Sequence, residues 1–438
     1  MQGSPQVPNS RSAASMREAS AYIRAHRGET FVVYFGGELT DGLHLDGLAR
    51  DFILLGGLGV KVVLVHGARP QIDSRMRANN IERQFVRELR VTDVGTLTHV
   101  KDGVSSARID IEARLQQAAK DVPNDARAVT VSGGNFVSAR PAGIVDGIDL
   151  QFTGIVRKVD RDAIDRRLGA EEVVVVSPLG YSATGEVFNL DALDLSISVA
   201  CDINASKLIL MAEPPGLVDA GGDVPRELTV TEAREFSPAD PAGARFLESA
   251  IRACQFGVAR VHIIDGSVNG ALLDELFTRD GMGTLISNTP TDRMRQAGIE
   301  DVGGVLALIE PLERDGLLVK RSREKLEIEI DQFSVLLREG IVVACGAIYP
   351  YENDSAELAC IAVHPDYRRD GFGNIVLQEL ERRARDAGLS QVFVLTTHAR
   401  HWFQDSGYTR AEIDELPVKR QALYNYQRNS IVLIKRLQ

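Results

Sequence analysis

Uninterrupted apolar runs of strand length recur along the front of the chain, at Phe31–Val32–Val33–Tyr34–Phe35, Val62–Val63–Leu64–Val65, Val173–Val174–Val175–Val176, Leu208–Ile209–Leu210–Met211 and Val261–His262–Ile263–Ile264. A strand with one wet face alternates apolar and polar residues, so runs without alternation predict strands buried on both faces, as in a parallel sheet. Residues 46–58 and 191–205 read as helices between them, which predicts right-handed crossovers and an α/β sandwich with a mainly parallel sheet. The pattern then breaks. Ser287–Asn288–Thr289–Pro290–Thr291–Asp292 is polar, and a helix through Ile299, Val302, Val305, Leu306, Leu308 and Ile309 follows it. The reading is a first domain over 16–287, a linker over 288–292 and a second α/β domain over 293–438.

In the second domain the pattern carries chemistry. Ala359 to Val363 reads as a strand, and Arg368–Arg369–Asp370–Gly371–Phe372–Gly373 as a glycine loop. A helix follows from Asn374 to Ala387, with Ile375, Val376, Leu377, Leu380 and Ala384 at helical spacing and Gly388 placed to cap it. Glycines at the mouth of a helix let backbone approach a ligand, and the unpaired amides of the first turn favour an anion, so the loop suits a pyrophosphate. Further on, Val392–Phe393–Val394–Leu395–Thr396 reads as a buried strand and Trp402 to Tyr408 as a short helix ending in Gly-aromatic. The arrangement resembles the acyl-coenzyme A site of the GCN5-related N-acetyltransferases, with Arg368, Gly371 and Gly373 matching their motif. The resemblance implies acetyl-CoA contacts at Ile361, Ala362, Val363, Arg368, Arg369, Asp370, Gly371, Phe372, Gly373 and Phe403. Many members carry a proton-donating tyrosine where this chain has Phe403, so the usual acid is missing.

Composition narrows the rest. Of 438 residues, 50 are basic and 61 acidic, a net charge of −11 that argues against a broad nucleic-acid surface. There is no apolar run long enough to cross a bilayer, so a membrane protein is not expected. Cys201, Cys254, Cys345 and Cys360 are scattered without CxxC pairs, which predicts neither a disulfide framework nor a metal site and points to a reducing cytoplasm. Residues 1–15 are polar and contain Pro and Ser, and read as a disordered leader.

Several strand ends in the first domain, Tyr34–Phe35–Gly36–Gly37, Val65–His66–Gly67–Ala68–Arg69–Pro70–Gln71, Leu89–Arg90–Val91–Thr92–Asp93 and Gly281–Met282–Gly283–Thr284, resemble those of the amino-acid kinases, acetylglutamate kinase above all. The departures matter. Tyr34 stands where the kinases have a lysine, Ala68 and Arg69 replace two glycines of a triplet, and the Asn-Ala-Asp element reads Asp191–Ala192–Leu193–Asp194. Phosphoryl transfer depends on positioned cations and amides, so this domain is not expected to phosphorylate anything. The segment from Met16 to Gly28 is similar to the N-terminal helix of arginine-inhibited acetylglutamate kinases, which assemble into hexameric rings. That resemblance implies a homohexamer and an arginine inhibitor site at Tyr22, His262, Glu275, Arg279, Gly281 and Gly283. A carboxylate at Glu275 suits a guanidinium, carbonyls near Gly281 and Gly283 accept its remaining donors, and Tyr22 can stack.

The two domains together resemble the two-domain family of bacterial N-acetylglutamate synthases over residues 16 to 438. The resemblance implies an amino-acid N-acetyltransferase that makes N-acetyl-L-glutamate from acetyl-CoA and L-glutamate, the first step of arginine biosynthesis, under feedback by L-arginine. Acetyl-CoA would be a co-substrate, with no permanently bound cofactor or metal. Family matching places Leu318, Lys320, Arg321, Cys360, Arg428 and Ser430 around glutamate, where arginines grip carboxylates by two parallel bonds. The expected mechanism is direct attack by the amine on the thioester. Glu357 is the candidate base, with His398 and His364 behind it, and Ser430 the candidate acid. Amides of Ile361 to Val363 would hold the oxyanion. Cys360 lies beside the acetyl group and reads as a pocket wall more than a nucleophile. The alternative is a kinase-like enzyme whose second domain senses acyl-CoA.

Overall fold

In a computed structural model the chain divides into two compact units, Met1–Pro290 and Thr291–Gln438. The structure describes residues 19–20, 22–40, 42–120, 130–212, 216–278, 281–289, 292–338, 340–368, 371–425 and 430–437.

An eight-stranded sheet forms the first unit: β1 (Thr30–Phe35), β2 (Lys61–His66), β3 (Val131–Gly133), β4 (Val173–Val176), β5 (Lys207–Ala212), β6 (Glu227–Thr229), β7 (Arg260–Asp265) and β8 (Thr284–Ser287). Their spatial order is β6-β8-β7-β5-β1-β2-β4-β3, and every pairing is parallel except β7 with β8. Helices α1 (Gly42–Gly57), α2 (Arg69–Ala78), α3 (Val94–Lys120), α4 (Ala192–Asp202), α5 (Pro241–Gln255) and α6 (Ala271–Phe277) cover it. The apolar runs are continuous because alternate residues enter two different cores. Val32, Val63, Val174, Leu208 and Val261 pack with α4 and α5, while Phe31, Val33, Leu64, Val175 and Ile209 pack with α1, α3 and α6. Each such side chain contributes roughly 1.5–3 kcal/mol relative to exposure, so a polar residue on either face would cost about that much. A smaller four-stranded sheet, from Val137–Pro141, Gly154–Val159, Leu179–Tyr181 and Val187–Asn189, sits apart from the main one.

The second unit is a seven-stranded sheet of β9 (Asp292–Gln296), β10 (Phe333–Arg338), β11 (Ile341–Tyr351), β12 (Ser355–Val363), β13 (Gln391–Thr396), β14 (Thr409–Ala411) and β15 (Ile431–Arg436), ordered β9-β10-β11-β12-β13-β15-β14. Only β12 and β13 run parallel. Helices α7 (Val302–Arg314) and α8 (Arg323–Glu329) bury Val305, Leu308, Ile309 and Leu326 on one face, and α9 (Phe372–Asp386) buries Val376, Leu377, Leu380 and Ala384 on the other. Two short helices, α10 (Arg400–Asp405) and α11 (Val418–Ala422), lie between the last strands. The polar segment read as a linker ends inside β9, a strand that among the described residues pairs with β10 alone. Its pattern of charges around Met294 suits an edge strand, where one side of the ladder faces water, and for that reason it carries no apolar run.

Candidate active site

β12 and β13 begin paired, at Ser355 with Gln391, Ala356 with Val392 and Glu357 with Phe393, and then part. β12 continues to Val363 and β13 to Thr396 without further pairing to each other, each still paired on its other side. An unpaired strand edge inside a sheet presents amides and carbonyls to anything extended that enters, such as the amide-bearing arm of coenzyme A. Beyond the open strand the chain turns through His364 to Gly371 into α9. Gly371 caps the helix at φ +77°, a left-handed conformation that glycine adopts without strain, and no side chain caps the first turn. The helix N-terminus is therefore free for an anion, with Arg368 exposed beside it. Trp402 donates from Nε1 to Asn374 Oδ1 at 3.1 Å, tying α10 to that first turn. Phe403 is buried between Trp402 and Tyr408, at ring-centroid distances of 4.7 and 5.3 Å, so its role there is packing. Arg369 and Asp370 lie outside the described residues.

A β-bulge turns β12 over near Cys360. The register between β11 and β12 shifts past Cys345, and Cys360 takes φ +53°. Before the bulge Ala356 and Leu358 pack with α9; after it Cys360 and Ala362 pack with α7 and α8. The bulge thus puts Cys360 on the face that carries Glu357 and Arg321. Burial pushes the Cys360 thiol up to about 11, against the opposing pull of the Arg321 guanidinium, so at neutral pH it is a thiol and a wall. Arg321 is held by its own backbone amide, which donates to Glu313 Oε1 at 2.9 Å, while its side-chain Nε is buried with no hydrogen-bond partner. Tyr349 donates to Glu329 at 2.8 Å in the same cluster. A buried guanidinium donor without an acceptor costs free energy that an incoming carboxylate would restore.

Glu357 is gripped by Arg420, whose Nε and terminal nitrogen donate to its two oxygens at 2.6 and 3.0 Å. Each oxygen keeps a lone pair for a water, so base catalysis through one water fits this geometry better than direct contact. Ser430 immediately precedes β15, whose Ile431 pairs with Thr396 at the end where β12 and β13 have parted. Leu318 is half-buried against the α7 and α8 core, Lys320 is exposed, and Arg428 lies outside the described residues. Arg420, Tyr349 and Glu329 were missed from the sequence. Arg420 is 63 residues from Glu357 and carries no local motif.

In the first unit His262 and Glu275 do come together, with Nδ1 2.6 Å from Oε1. The second Glu275 oxygen accepts the backbone amides of Met282 and Gly283 at 2.7 and 2.8 Å, and hydrogen bonding holds its carboxyl below the usual range although burial opposes this. Lys207 Nζ stands 3.4 Å from His262 Nε2. The ring therefore accepts on the lysine side and donates to Glu275. Lys207 opens an apolar strand, and nothing in the sequence distinguished it. Tyr22 lies in the helix formed by residues 19–20 and 22–26, whose His26 reaches the Leu276 carbonyl at 2.9 Å. Gly281 takes φ +59°, and Arg279 lies outside the described residues. Tyr34 lines a cavity of about 730 Å³ at the ends of β1 and β2 that is edged by five arginines and, among the described residues, no lysine.

Residues 29–265 match the amino acid kinase family and residues 306–408 the acetyltransferase (GNAT) family. Amino-acid acetyltransferases of Pseudomonas paraeruginosa and Azotobacter vinelandii are 47% and 48% identical, each alignment covering 96% of this chain and 98% of the relative. The crystal structure of N-acetylglutamate synthase from Neisseria gonorrhoeae complexed with coenzyme A and L-arginine matches with a TM-score of 0.85 at 37% identity, over 98% of this chain and all of that one. A second structure of that synthase, with coenzyme A and N-acetyl-glutamate, matches at a TM-score of 0.62. An amino-acid-kinase-like sheet unit followed by a GNAT unit, with acetyl-CoA as co-substrate of the second, makes this enzyme an acyltransferase, and the chain belongs to the amino-acid acetyltransferase family that includes the N-acetylglutamate synthases.

Proposed function

We propose that the chain acetylates the α-amino group of L-glutamate and that L-arginine inhibits it as end product. The observation that supports the substrate is the buried, unpartnered Nε of Arg321 beside Cys360, a hydrogen-bond donor for a carboxylate on the face that carries Glu357. The pyrophosphate of acetyl-CoA would rest on the α9 N-terminus with Arg368, and its thioester carbonyl would take hydrogen bonds from amides of Ile361 to Val363. A water held by Glu357 removes the ammonium proton. The free amine attacks the carbonyl carbon, a C–N bond forms and the C–S bond breaks; the proton lost by the nitrogen on forming the amide passes to the departing thiolate, with Ser430 as the proposed relay that gives one proton and regains one. Lys320 and Arg428 complete the grip on the two carboxylates of glutamate.

Support for the effector comes from the arginine complex of the Neisseria synthase and from the His262–Glu275 pair. In this reading the first unit binds arginine through Tyr22, His262, Glu275, Arg279, Gly281 and Gly283 and has lost phosphoryl transfer with the lysine that Tyr34 replaces. A cytoplasmic homohexamer joined through the helix near Tyr22 belongs to the same reading, and light scattering measures its size. Thiol release from acetyl-CoA, assayed with each amino acid in turn and repeated with arginine, tests the function. Glutamate should be preferred and arginine should slow it; equal rates for all amino acids would exclude the substrate, and indifference to arginine the regulation.

A further inference from the structure

Arg321 has beside it a carboxylate with which it does not pair. Burial opposes the charge of its guanidinium, and the neighbouring Cys360, Tyr349 and Glu329 outweigh burial and raise its pKa. Glu329, the last residue of α8, is the carboxylate of that group, yet no ion pair joins it to Arg321 among the described residues. Its two oxygens are otherwise engaged. Lys325 Nζ stands 3.7 Å from Oε1, and the Tyr349 hydroxyl donates to Oε2 at 2.8 Å. Arg321 spends a terminal nitrogen on the Val319 carbonyl at 3.2 Å and keeps its buried Nε without an acceptor.

Strand register places the phenol. Tyr349 stands directly opposite Glu357 in the β11–β12 ladder, ahead of the bulge, and packs against the core beneath α7 and α8. Opposite residues of an antiparallel pair share a face, so the hydroxyl, the base candidate and Arg321 gather on one side of the sheet. Burial pushes the ionisation of Tyr349 far above neutral pH, the Arg321 charge pulls the other way, and the bond to Glu329 adds to the rise, so the hydroxyl stays a donor. That bond satisfies a carboxylate without bringing a guanidinium to it. A direct Glu329–Arg321 pair would neutralise the guanidinium, and an incoming carboxylate would first have to displace Glu329.

We propose that Tyr349 is a positioning residue for substrate recognition: by donating its hydroxyl to Glu329 it keeps that carboxylate off Arg321 and leaves the guanidinium charge for a carboxylate of the amino-acid substrate. This role rests on Arg321 being a cation that receives glutamate. Tyr349 acts through Glu329 and Arg321 and takes no part in moving protons to or from the reacting atoms.

Steady-state kinetics of variants of the full chain test this. In Tyr349→Phe the Glu329 carboxylate loses its donor and turns to Arg321; if it holds the guanidinium about nine-tenths of the time, the KM for glutamate rises about tenfold, with kcat and the KM for acetyl-CoA within about threefold of the parent. Glu329→Gln keeps an acceptor for the phenol but carries no charge, and its glutamate KM should stay near the parent value. Tyr349→Phe combined with Glu329→Gln should recover the parent KM, because no carboxylate remains to compete with the substrate. A packing defect left by the lost hydroxyl would persist in the double variant, so failure to recover overturns the role, as does a glutamate KM unchanged in Tyr349→Phe. Arg321→Ala separates the two levels. An unchanged glutamate KM there removes Arg321 from the substrate site and the role of Tyr349 with it, whereas a raised KM there beside an unchanged one in Tyr349→Phe removes Tyr349 alone.

Discussion

Glu357 and Arg420 form a bidentate pair in which the base candidate is oriented by a residue that no motif announces. Glu357→Gln keeps the shape and one acceptor but cannot take a proton, so kcat should fall roughly 10²–10⁴-fold. Steady-state rates would show this, and an unchanged kcat would remove Glu357 from the mechanism. His66 offers a residue-scale test of folding. It is fully buried, its Nδ1 donates to the Gly67 carbonyl and its Nε2 accepts from Ser177, so the neutral ring satisfies both partners. Burial first, and then Arg108, lower its pKa from 6.5 to about 4. The unfolded chain therefore binds the extra proton between these values. The contribution is complete above pH 6.5 and is lost as pH falls toward 4, amounting to about 3 kcal/mol. Urea unfolding of the parent chain should lose that much more stability over this window than unfolding of His66→Gln; parallel curves would contradict the assignment.

At the scale of elements, the loop into α9 carries its own test. Gly371 is left-handed and a Cβ there would meet nothing within 4 Å, so Gly371→Ala adds backbone strain alone, roughly 1–2 kcal/mol. The expected result is an increase of about tenfold in the KM for acetyl-CoA with the KM for the amino acid unchanged, because the strain falls on the turn that presents the amides. Equal change in both constants would mean that the loop acts on the whole unit. The strand, loop and helix of this region were legible in the sequence because all three are local: apolar run, glycines, helical period. The bulge at Cys360 was not. It arises from one extra residue against β11, a pairing that joins residues far enough apart for the periodicity of either strand to stay silent.

For the molecule as a whole, the proposed arginine effect is a coupling free energy between two sites and must be reciprocal. If arginine weakens acetyl-CoA binding by some factor, typically about 5–150-fold, acetyl-CoA must weaken arginine binding by the same factor. Calorimetry of each ligand with and without the other measures both. Unequal factors would show that arginine acts on the chemical step, where no such symmetry is required.

Sequence alone determined the α/β class of each unit and the strand, glycine loop and helix around Gly371, since each is written in periodicity, punctuation or a contiguous motif. Burial on both sides of the first sheet leaves no other reading of its valine and isoleucine runs. Only the tertiary structure decided which charges meet: Arg420 with Glu357, Lys207 with His262, and the Nε of Arg321 left without an acceptor beside Cys360. Those encounters join segments tens of residues apart, and what makes a buried charge functional is the partner that folding brings to it or withholds.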